Sequence, residues 1–255
     1  MAILKHLEQG KLRHKDSLSE MQQLLQLLGH KVEDLDSLRI IHVAGSKGKG
    51  STSAFAESIL RLHGLKTALF TSPHLIHPRE RLKLDGYSLS LMDFSNAVIE
   101  IYERLLTAKV ASMPGFFRFM TLLAFDQMLK LGRKNRLDVA IVEVGMGGRY
   151  DSTNIIQQPF VTAITSLSME HVRSLGPTLS NIAHHKVGIA KFGAPLLSAP
   201  QPIEAVKVLQ ENAEKTGVSL SFVDPITEFN QAGFNDAILC KQSTLIYIII
   251  ICGSA

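Results

Sequence analysis

The chain has 255 residues, 45% of them hydrophobic and 20% charged, and this composition predicts a folded globular protein rather than a disordered one. The net charge of +4 is scattered. With no Trp and 6% aromatic residues, the chain lacks the interleaved basic and aromatic residues that are typical of nucleic-acid binding. Two cysteines, Cys240 and Cys252, are too few for a disulfide framework, and we interpret both as free thiols.

Neither end of the sequence has the pattern of a targeting or membrane segment. The first residues have no long apolar core, and acidic residues occur early. The basic stretch from Lys5 to Lys15 is interpreted as a solvated terminal segment. Residues 245–252 (LIYIIIIC) are apolar for only eight positions, whereas a membrane-spanning helix needs about 20. We therefore expect a cytoplasmic protein without a membrane span, and a mitochondrial form only with a leader that this sequence does not contain.

Strands and helices alternate along most of the chain. Apolar residues at helical spacing predict a helix over 18–28, and the β-rich segment 39–44 (RIIHVA) predicts a strand, followed by a glycine-rich loop and a helix over 51–62. Further strands are predicted at 66–71, 138–144, 160–165 and 195–198. Further helices are predicted at 91–106, 117–131, 178–190 and 203–215. This order favours an α/β fold with a mostly parallel, doubly wound sheet and ligands at the carboxyl ends of its strands.

The strongest single signal is the loop after the first predicted strand, made of Gly45, Ser46, Lys47, Gly48, Lys49, Gly50, Ser51 and Thr52. Glycines let backbone N–H groups approach a phosphate closely, and the following helix adds its positive end. Lys49 would reach the outer phosphates, and Ser51 or Thr52 would lie near a metal ion. The strict pattern G-x-x-x-x-G-K-[ST] is not met, because Val43 stands where its first glycine belongs and Gly50 follows the lysine. A glycine-rich turn without a ligand is the alternative.

Residues 42–52 (HVAGSKGKGST) resemble the signature of folylpolyglutamate synthases, which belong with the Mur-type peptide ligases. The resemblance continues in the family's order through 71–75 (TSPHL), 79–81 (RER), 117–119 (FRF), 143–154 (EVGMGGRYDSTN) and 175–191. It covers roughly residues 18–202 and is closer to eukaryotic than to bacterial members. It implies a P-loop ATPase domain like the central domain of Mur ligases, which we assign to residues 1–222.

The resemblance also implies a reaction and its substrates. ATP would phosphorylate the terminal carboxylate of a reduced folate, and the amine of L-glutamate would attack the acyl phosphate. The expected function is therefore that of a tetrahydrofolate:L-glutamate ligase acting on small molecules as a monomer. Family members continue into a second domain, whereas residues 223–255 form an atypical tail, so an inert nucleotide- or folate-binding module is the alternative. A small-molecule kinase is a third interpretation.

Several residues match catalytic and metal-binding positions of the family. The resemblance implies that Ser72, Glu143 and His171 bind Mg²⁺, and that Lys49, Lys186 and His171 act in catalysis. Lys186 matches a lysine that is carbamylated in such ligases and helps to hold a second metal; a monovalent cation is a further possible cofactor. Taken singly, these residues have plainer explanations, as a turn residue, a strand-end charge, a surface histidine and a helix-face lysine.

Further residues concern the folate site and departures from the family pattern. The resemblance implies that the loop of His74 and Arg81 binds the folate, and Phe117 and Phe119 are candidates for stacking on the pterin, although such aromatics are more often core residues. Ser46 replaces the usual threonine and keeps its hydroxyl. Glu170 replaces an aspartate and lengthens the side chain by one methylene, which affects the surroundings of the metal site.

Overall fold

The computed structural model describes residues 2–9 and 18–223, and all structural statements below refer to these residues. The helices are α1 (Ala2–Gln9), α2 (Leu18–Leu27), α3 (Lys49–Leu62), α4 (Leu91–Thr107), α5 (Phe116–Gly132), α6 (Val172–Leu175), α7 (Leu179–Val187) and α8 (Ile203–Thr216), with 3₁₀ helices at Val32–Leu38, Pro78–Arg81 and Ser152–Ile155. The strands are β1 (Ile40–Ala44), β2 (Thr67–Phe70), β3 (Leu82–Leu84), β4 (Tyr87–Ser88), β5 (Val139–Glu143), β6 (Val161–Ile164), β7 (Leu196–Ser198) and β8 (Leu220–Phe222). None of the described helices is both long and apolar enough to cross a membrane.

The eight strands form one sheet in the order β4-β3-β2-β5-β1-β6-β7-β8. The six strands from β2 to β8 in this order are parallel, and β3 and β4 add an antiparallel hairpin at one edge. In the central strand β1, His42 lies opposite Val142 of β5 and Thr162 of β6. The predicted mostly parallel sheet is confirmed, and the carboxyl end of β1 lies between two parallel neighbours, where α/β proteins bind their ligands.

Helices cover both faces of the sheet, because the buried strands alternate their side chains between two apolar layers. Ile40 belongs to the layer that contains α2, α4 and α5, whereas Ile41 and Val43 belong to the layer under α3. A third cluster joins α7 and α8 to the β6–β7 side. This is the doubly wound arrangement that the alternation of strands and helices predicts.

Five elements differ from the sequence-based expectation. The first residues form α1, in which Leu4 and Leu7 are buried against the core, so this part of the predicted solvated terminal segment packs on the domain. The hairpin of β3 and β4 and the edge strand β8 were not predicted, since they have only two or three residues each. The predicted helix over 178–190 ends at Val187. Cys240, Cys252 and the apolar segment 245–252 lie outside the described residues.

Candidate active site

The glycine-rich loop connects the carboxyl end of β1, a central strand of the sheet, to the start of α3. Gly48 precedes the first helical residue, Lys49, with φ of 85°, a left-handed conformation that favours glycine. Gly45 has φ of 147°, and a Cβ atom there would lie 1.7 Å from Oγ1 of Thr165. The loop therefore needs glycine at both positions, and it places bare backbone at the start of a 14-residue helix, where anions bind.

The first half of the loop is fixed to the segment that follows β6. The N–H groups of Ser46 and Lys47 both donate to the carbonyl oxygen of Ser166, at 3.0 and 3.2 Å. The hydroxyl of Ser46 donates to the carbonyl oxygen of Ser168 at 3.0 Å. These donors are engaged within the protein, so the N–H groups of the first turn of α3, which have no acceptor within a helix, are the ones that this loop offers to an anion.

Glu143 ends β5 and lies directly against the start of α3. Its side chain is buried, and its Oε2 accepts a hydrogen bond of 2.9 Å from the N–H group of Ser72. A Cβ atom on Gly50 would lie 3.4 Å from the same oxygen. Burial raises the pKa of Glu143, while the hydrogen bond from Ser72 and the charges of Lys49 and Arg81 oppose that rise. The fold thus brings together Glu143 at the end of β5, Ser72 in the loop after β2, and the phosphate loop.

Two of the three predicted magnesium ligands, Ser72 and Glu143, therefore lie side by side. A carboxylate and a hydroxyl are hard oxygen donors that fit Mg²⁺, which usually keeps several waters and phosphate oxygens as its other ligands. No group of three His, Cys, Asp or Glu side chains within the described ranges could hold a metal ion by itself. His171 is exposed, and its backbone is left-handed, with φ of 45°, just before α6. Its part in metal binding stays a prediction.

Lys186 lies inside the protein, where it joins α7 to the phosphate loop. Its side chain is 1% exposed, and Nζ donates a hydrogen bond of 2.7 Å to the carbonyl oxygen of Gly45. The same nitrogen pairs with Oε1 of Glu170 at 2.5 Å. Burial lowers the pKa of Lys186, and the pairing with Glu170 opposes that change. Glu170, where the family usually has an aspartate, is thus the acidic partner of Lys186.

The predicted folate residues His74 and Arg81 contact each other. Nε of Arg81 donates to Nδ1 of His74 at 2.9 Å, and the Arg81 guanidinium lies 5.0 Å from the ring centre of Phe116. The His74 ring is 6.2 Å from the same phenylalanine. Burial lowers the pKa of His74, and the neighbouring Arg81 charge adds to this effect. The site therefore combines a cation, an imidazole and an aromatic face.

The aromatic residue at this site is not one that the sequence predicted. Phe119 is fully buried in the core, so the stacking role considered for it is wrong. Phe117 packs against Phe70, and a Cβ atom on Gly145 would lie 2.3 Å from its ring. Phe116, at the first position of α5, faces Arg81 instead. Which aromatic residue of this segment faces Arg81 depends on the rotation of α5, which the motif does not fix.

Glu80 is a second residue that sequence reasoning missed. Its carboxylate accepts from the backbone N–H groups of Leu75, Ile76 and His77 at 2.7 to 3.3 Å, and these hydrogen bonds lower its pKa. The side chains of Leu75 and Ile76 are 93% and 90% exposed. Glu80 thus holds a short loop that presents two apolar side chains beside His74. Its position between two arginines in the RER segment was the available signal.

The fold and the site define an ATPase domain of the Mur ligase type, with a glycine loop after the central parallel strand and a buried acid at the end of the neighbouring strand. The chain belongs to the folylpolyglutamate synthase family. It is 43% identical over 235 residues to the mitochondrial folylpolyglutamate synthase of Bos taurus, covering 89% of this chain and 40% of that protein. It is 48% identical over 197 residues to a folylpolyglutamate synthase of Arabidopsis thaliana, covering 76% and 34%. No protein-family model matches the chain.

Solved structures agree with this assignment. The apo form of L. casei FPGS superposes with a TM-score of 0.85 at 26% identity, covering 99% of this chain and 67% of that one. An FPGS-AMPPCP-folate complex gives the same values. Folylpolyglutamate synthase from Mycobacterium tuberculosis complexed with ADP and AMPPCP gives a TM-score of 0.73 at 30% identity, covering 88% and 51%. The predicted family and fold are confirmed. The chain spans about two fifths of the length of its first curated relatives.

Proposed function

We propose that this chain forms the ATP- and folate-binding part of a ligase that adds glutamate to tetrahydrofolate. The observation that carries the proposal is the convergence of the phosphate loop, the Glu143–Ser72 pair and buried Lys186 at one end of the central strands. A phosphate loop alone would fit many nucleotide-binding proteins, a small-molecule kinase included. The additional acid and lysine, in a chain this similar to folylpolyglutamate synthases, favour the ligase.

The chemistry requires that a carboxylate be activated, because it is a poor electrophile. In our proposal the first turn of α3 binds the phosphates of ATP through its N–H groups, and Lys49 neutralises charge on the outer phosphates. Glu143 and Ser72 would hold Mg²⁺, which when bound neutralises the charge that develops on the transferred phosphoryl group. Burial of Glu143 strengthens its interaction with any cation, since little water screens the carboxylate.

The roles of Lys186 and His171 remain part of the proposal. The ammonium of Lys186 fixes the carbonyl oxygen of Gly45 and so sets the entry of the phosphate loop. Carbamylation would replace this cation by an anion beside Glu170, so it would require Glu170 to move or to bind a cation itself. His171 directly follows Glu170 and is exposed, which leaves it accessible to a metal or nucleotide. A monovalent cation is a further proposed cofactor.

For the folate, we propose the face formed by His74, Arg81 and Phe116. The guanidinium suits a carboxylate, and the aromatic ring and the exposed Leu75 and Ile76 suit the flat pterin and benzoyl groups. We also propose a monomer. Its cytoplasmic location stays a prediction, and the relative from Bos taurus is named as a mitochondrial protein.

The test measures binding and turnover separately. Binding of AMPPCP is followed by calorimetry, and turnover by mass spectrometry of tetrahydrofolate incubated with the chain, ATP, Mg²⁺, bicarbonate and glutamate. The wild type is expected to bind AMPPCP and to form, at very low turnover, a product heavier by one glutamyl residue. Lys49→Ala should lose both, whereas Lys207→Ala, which removes an exposed lysine of α8, should change neither.

Two outcomes would contradict the proposal in different ways. If Lys49→Ala bound AMPPCP as tightly as the wild type, the assignment of the phosphate loop would be wrong. If the wild type bound AMPPCP but formed no glutamylated product, the inert nucleotide-binding module would replace the ligase as the function of this chain.

A further inference from the structure

A buried histidine in the central strand has no role in the proposed chemistry. His42 is fully buried in the middle of β1, and burial together with the charge of Lys191 lowers its pKa to about 3. The ring is therefore neutral under ordinary conditions, and its protons are fixed by its hydrogen bonds. Nε2 lies 2.9 Å from Oγ1 of Thr153, while Nδ1 is buried without a hydrogen-bond partner among the described residues.

The direction of the hydrogen bond from His42 follows from the next partner in the chain. Oγ1 of Thr153 donates to Oδ1 of Asp151 at 2.6 Å, and Oδ1 also accepts the N–H group of Thr153 at 3.0 Å. Oδ2 of Asp151 accepts the N–H group of Met146 at 3.0 Å. Burial raises the pKa of Asp151, but both of its oxygens already accept backbone N–H groups, which favour the carboxylate. The Thr153 hydroxyl has a single hydrogen and gives it to this carboxylate, so His42 donates from Nε2. The polar series thus runs in one direction, from histidine to threonine to carboxylate.

The end of this series lies beside the candidate metal site. Asp151 accepts hydrogen bonds from the backbone N–H groups of Gly145 and Met146, which follow Glu143 directly after Val144. At its other end, His42 belongs to the strand that leads into Gly45 and the phosphate loop. In the register of the sheet, His42 lies opposite Val142. The series therefore connects the strand before the phosphate loop with the turn after Glu143.

We propose that His42 is a positioning residue, whose Nε2–H group orients the hydroxyl of Thr153 toward Asp151 and so holds the turn that places Glu143 against the phosphate loop. This inference rests on the proposed function. His42 acts as a hydrogen-bond donor and not as an acid or base. A neutral imidazole that donates from Nε2 carries no proton on Nδ1, and within the described residues Nδ1 has no acceptor that would require one.

Two matched pairs of variants test the proposal. Thr153→Ser keeps the hydroxyl, whereas Thr153→Val replaces it by a methyl group of similar shape. His42→Gln offers an amide N–H group near the position of Nε2, whereas His42→Leu offers none. Ile41→Val serves as a stability control, because Ile41 is buried in the same strand but faces the opposite apolar layer. Each variant is tested for AMPPCP binding with Mg²⁺ and with a chelator.

The donor-free variants are expected to weaken the Mg²⁺-dependent binding of AMPPCP by about tenfold or more, the scale at which residues behind metal ligands act. For the donor-free variants, the AMPPCP affinity measured in the chelator should stay within about twofold of the wild-type value. For Thr153→Ser, His42→Gln and Ile41→Val, the affinities with Mg²⁺ and with the chelator should both stay within about twofold of the wild type. Equal binding by Thr153→Val and Thr153→Ser, or an equal loss with and without Mg²⁺, would overturn the proposal. If His42→Leu fails to fold, the Thr153 pair decides.

A metal-free measurement examines the hydrogen bond itself. In ¹⁵N spectra of histidine-labelled protein, His42 should show a protonated Nε2 and an unprotonated Nδ1, without titrating between about pH 5 and 8. A proton on Nδ1 would refute the inferred direction. If the wild type bound no AMPPCP, the proposed function would fail, whereas these spectra would still report on the hydrogen bond from His42.

Discussion

The ion pair of Lys186 and Glu170 allows a prediction from the unequal burial of its two partners. Two single variants, Lys186→Met and Glu170→Met, each replace one partner of the pair by the same apolar side chain. The Lys186 side chain is 1% exposed and that of Glu170 is 22% exposed. Lys186→Met therefore leaves a carboxylate that can turn to water, whereas Glu170→Met leaves an ammonium that cannot.

The magnitudes differ accordingly. In Glu170→Met the unpaired buried cation should cost about 3 to 5 kcal/mol of folding free energy. Losing its proton limits this cost, since neutralising a lysine at pH 7 requires about 1.4 kcal/mol per pH unit below its ordinary value of 10.5, or about 5 kcal/mol. In Lys186→Met the main loss is the hydrogen bond to the Gly45 carbonyl, about 1 to 3 kcal/mol, and apolar burial of the methionine offsets part of it.

Urea unfolding followed by circular dichroism measures both values, and we expect Glu170→Met to be the less stable variant by about 2 kcal/mol. The deficit should also depend on pH. In Glu170→Met the pKa of Lys186 in the folded state falls below its unfolded value, so the unfolded chain binds more protons and stability rises with pH toward 10.5. In Lys186→Met, which has no lysine to lose a proton, the stability deficit relative to the wild type should not shrink as the pH rises. An equal or larger loss in Lys186→Met would refute the reasoning.

Three further predictions concern separate parts of the molecule. Gly45→Ala should abolish AMPPCP binding and lower the melting temperature, because its Cβ atom would overlap Thr165, whereas Gly193→Ala, also at positive φ but in open space, should cost only about 1 kcal/mol in thermal unfolding. Phe116→Leu should raise the folate KM several-fold by removing the face under Arg81, worth about 0.5 to 2 kcal/mol, with the AMPPCP Kd unchanged. Asp126→Asn should lower the free energy of unfolding at pH 7 and should make stability fall less in acid. Burial raises the pKa of Asp126, but hydrogen bonds from buried His30 and from Lys130 outweigh this effect, so the net pKa is lowered. The wild type therefore loses stability as this carboxylate is protonated, and the variant does not. AMPPCP binding at pH 7 by this variant should match the wild type.

The parts of the site that the sequence predicted are those set by local geometry. The glycines of the phosphate loop follow a recognisable strand and precede a helix, so the loop could be placed from spacing, whereas the metal role of Glu143, at a strand end, was implied by the family resemblance. Phe116 and Glu80 act through contacts that depend on how α5 and the loop after β2 meet in space. The short strands β3, β4 and β8 carry too few residues for a period to be visible. α1 was missed because two buried leucines in eight residues are a weak signal.

The same distinction explains why polar residues that hold the site are harder to find than those that form it. Lys186 and Asp151 hold backbone groups of a neighbouring loop, the Gly45 carbonyl and the N–H groups after Glu143, whereas His42 holds the Thr153 hydroxyl. The contacts of Lys186 and His42 leave no spacing rule in the sequence, because they join residues 141 and 111 positions apart, whereas that of Asp151 with the Met146 N–H group spans five positions. They matter because catalysis by positioning requires both loops to be fixed before the substrates arrive. A central strand that carries the phosphate loop at its end and a hydrogen-bond donor in its middle can fix both.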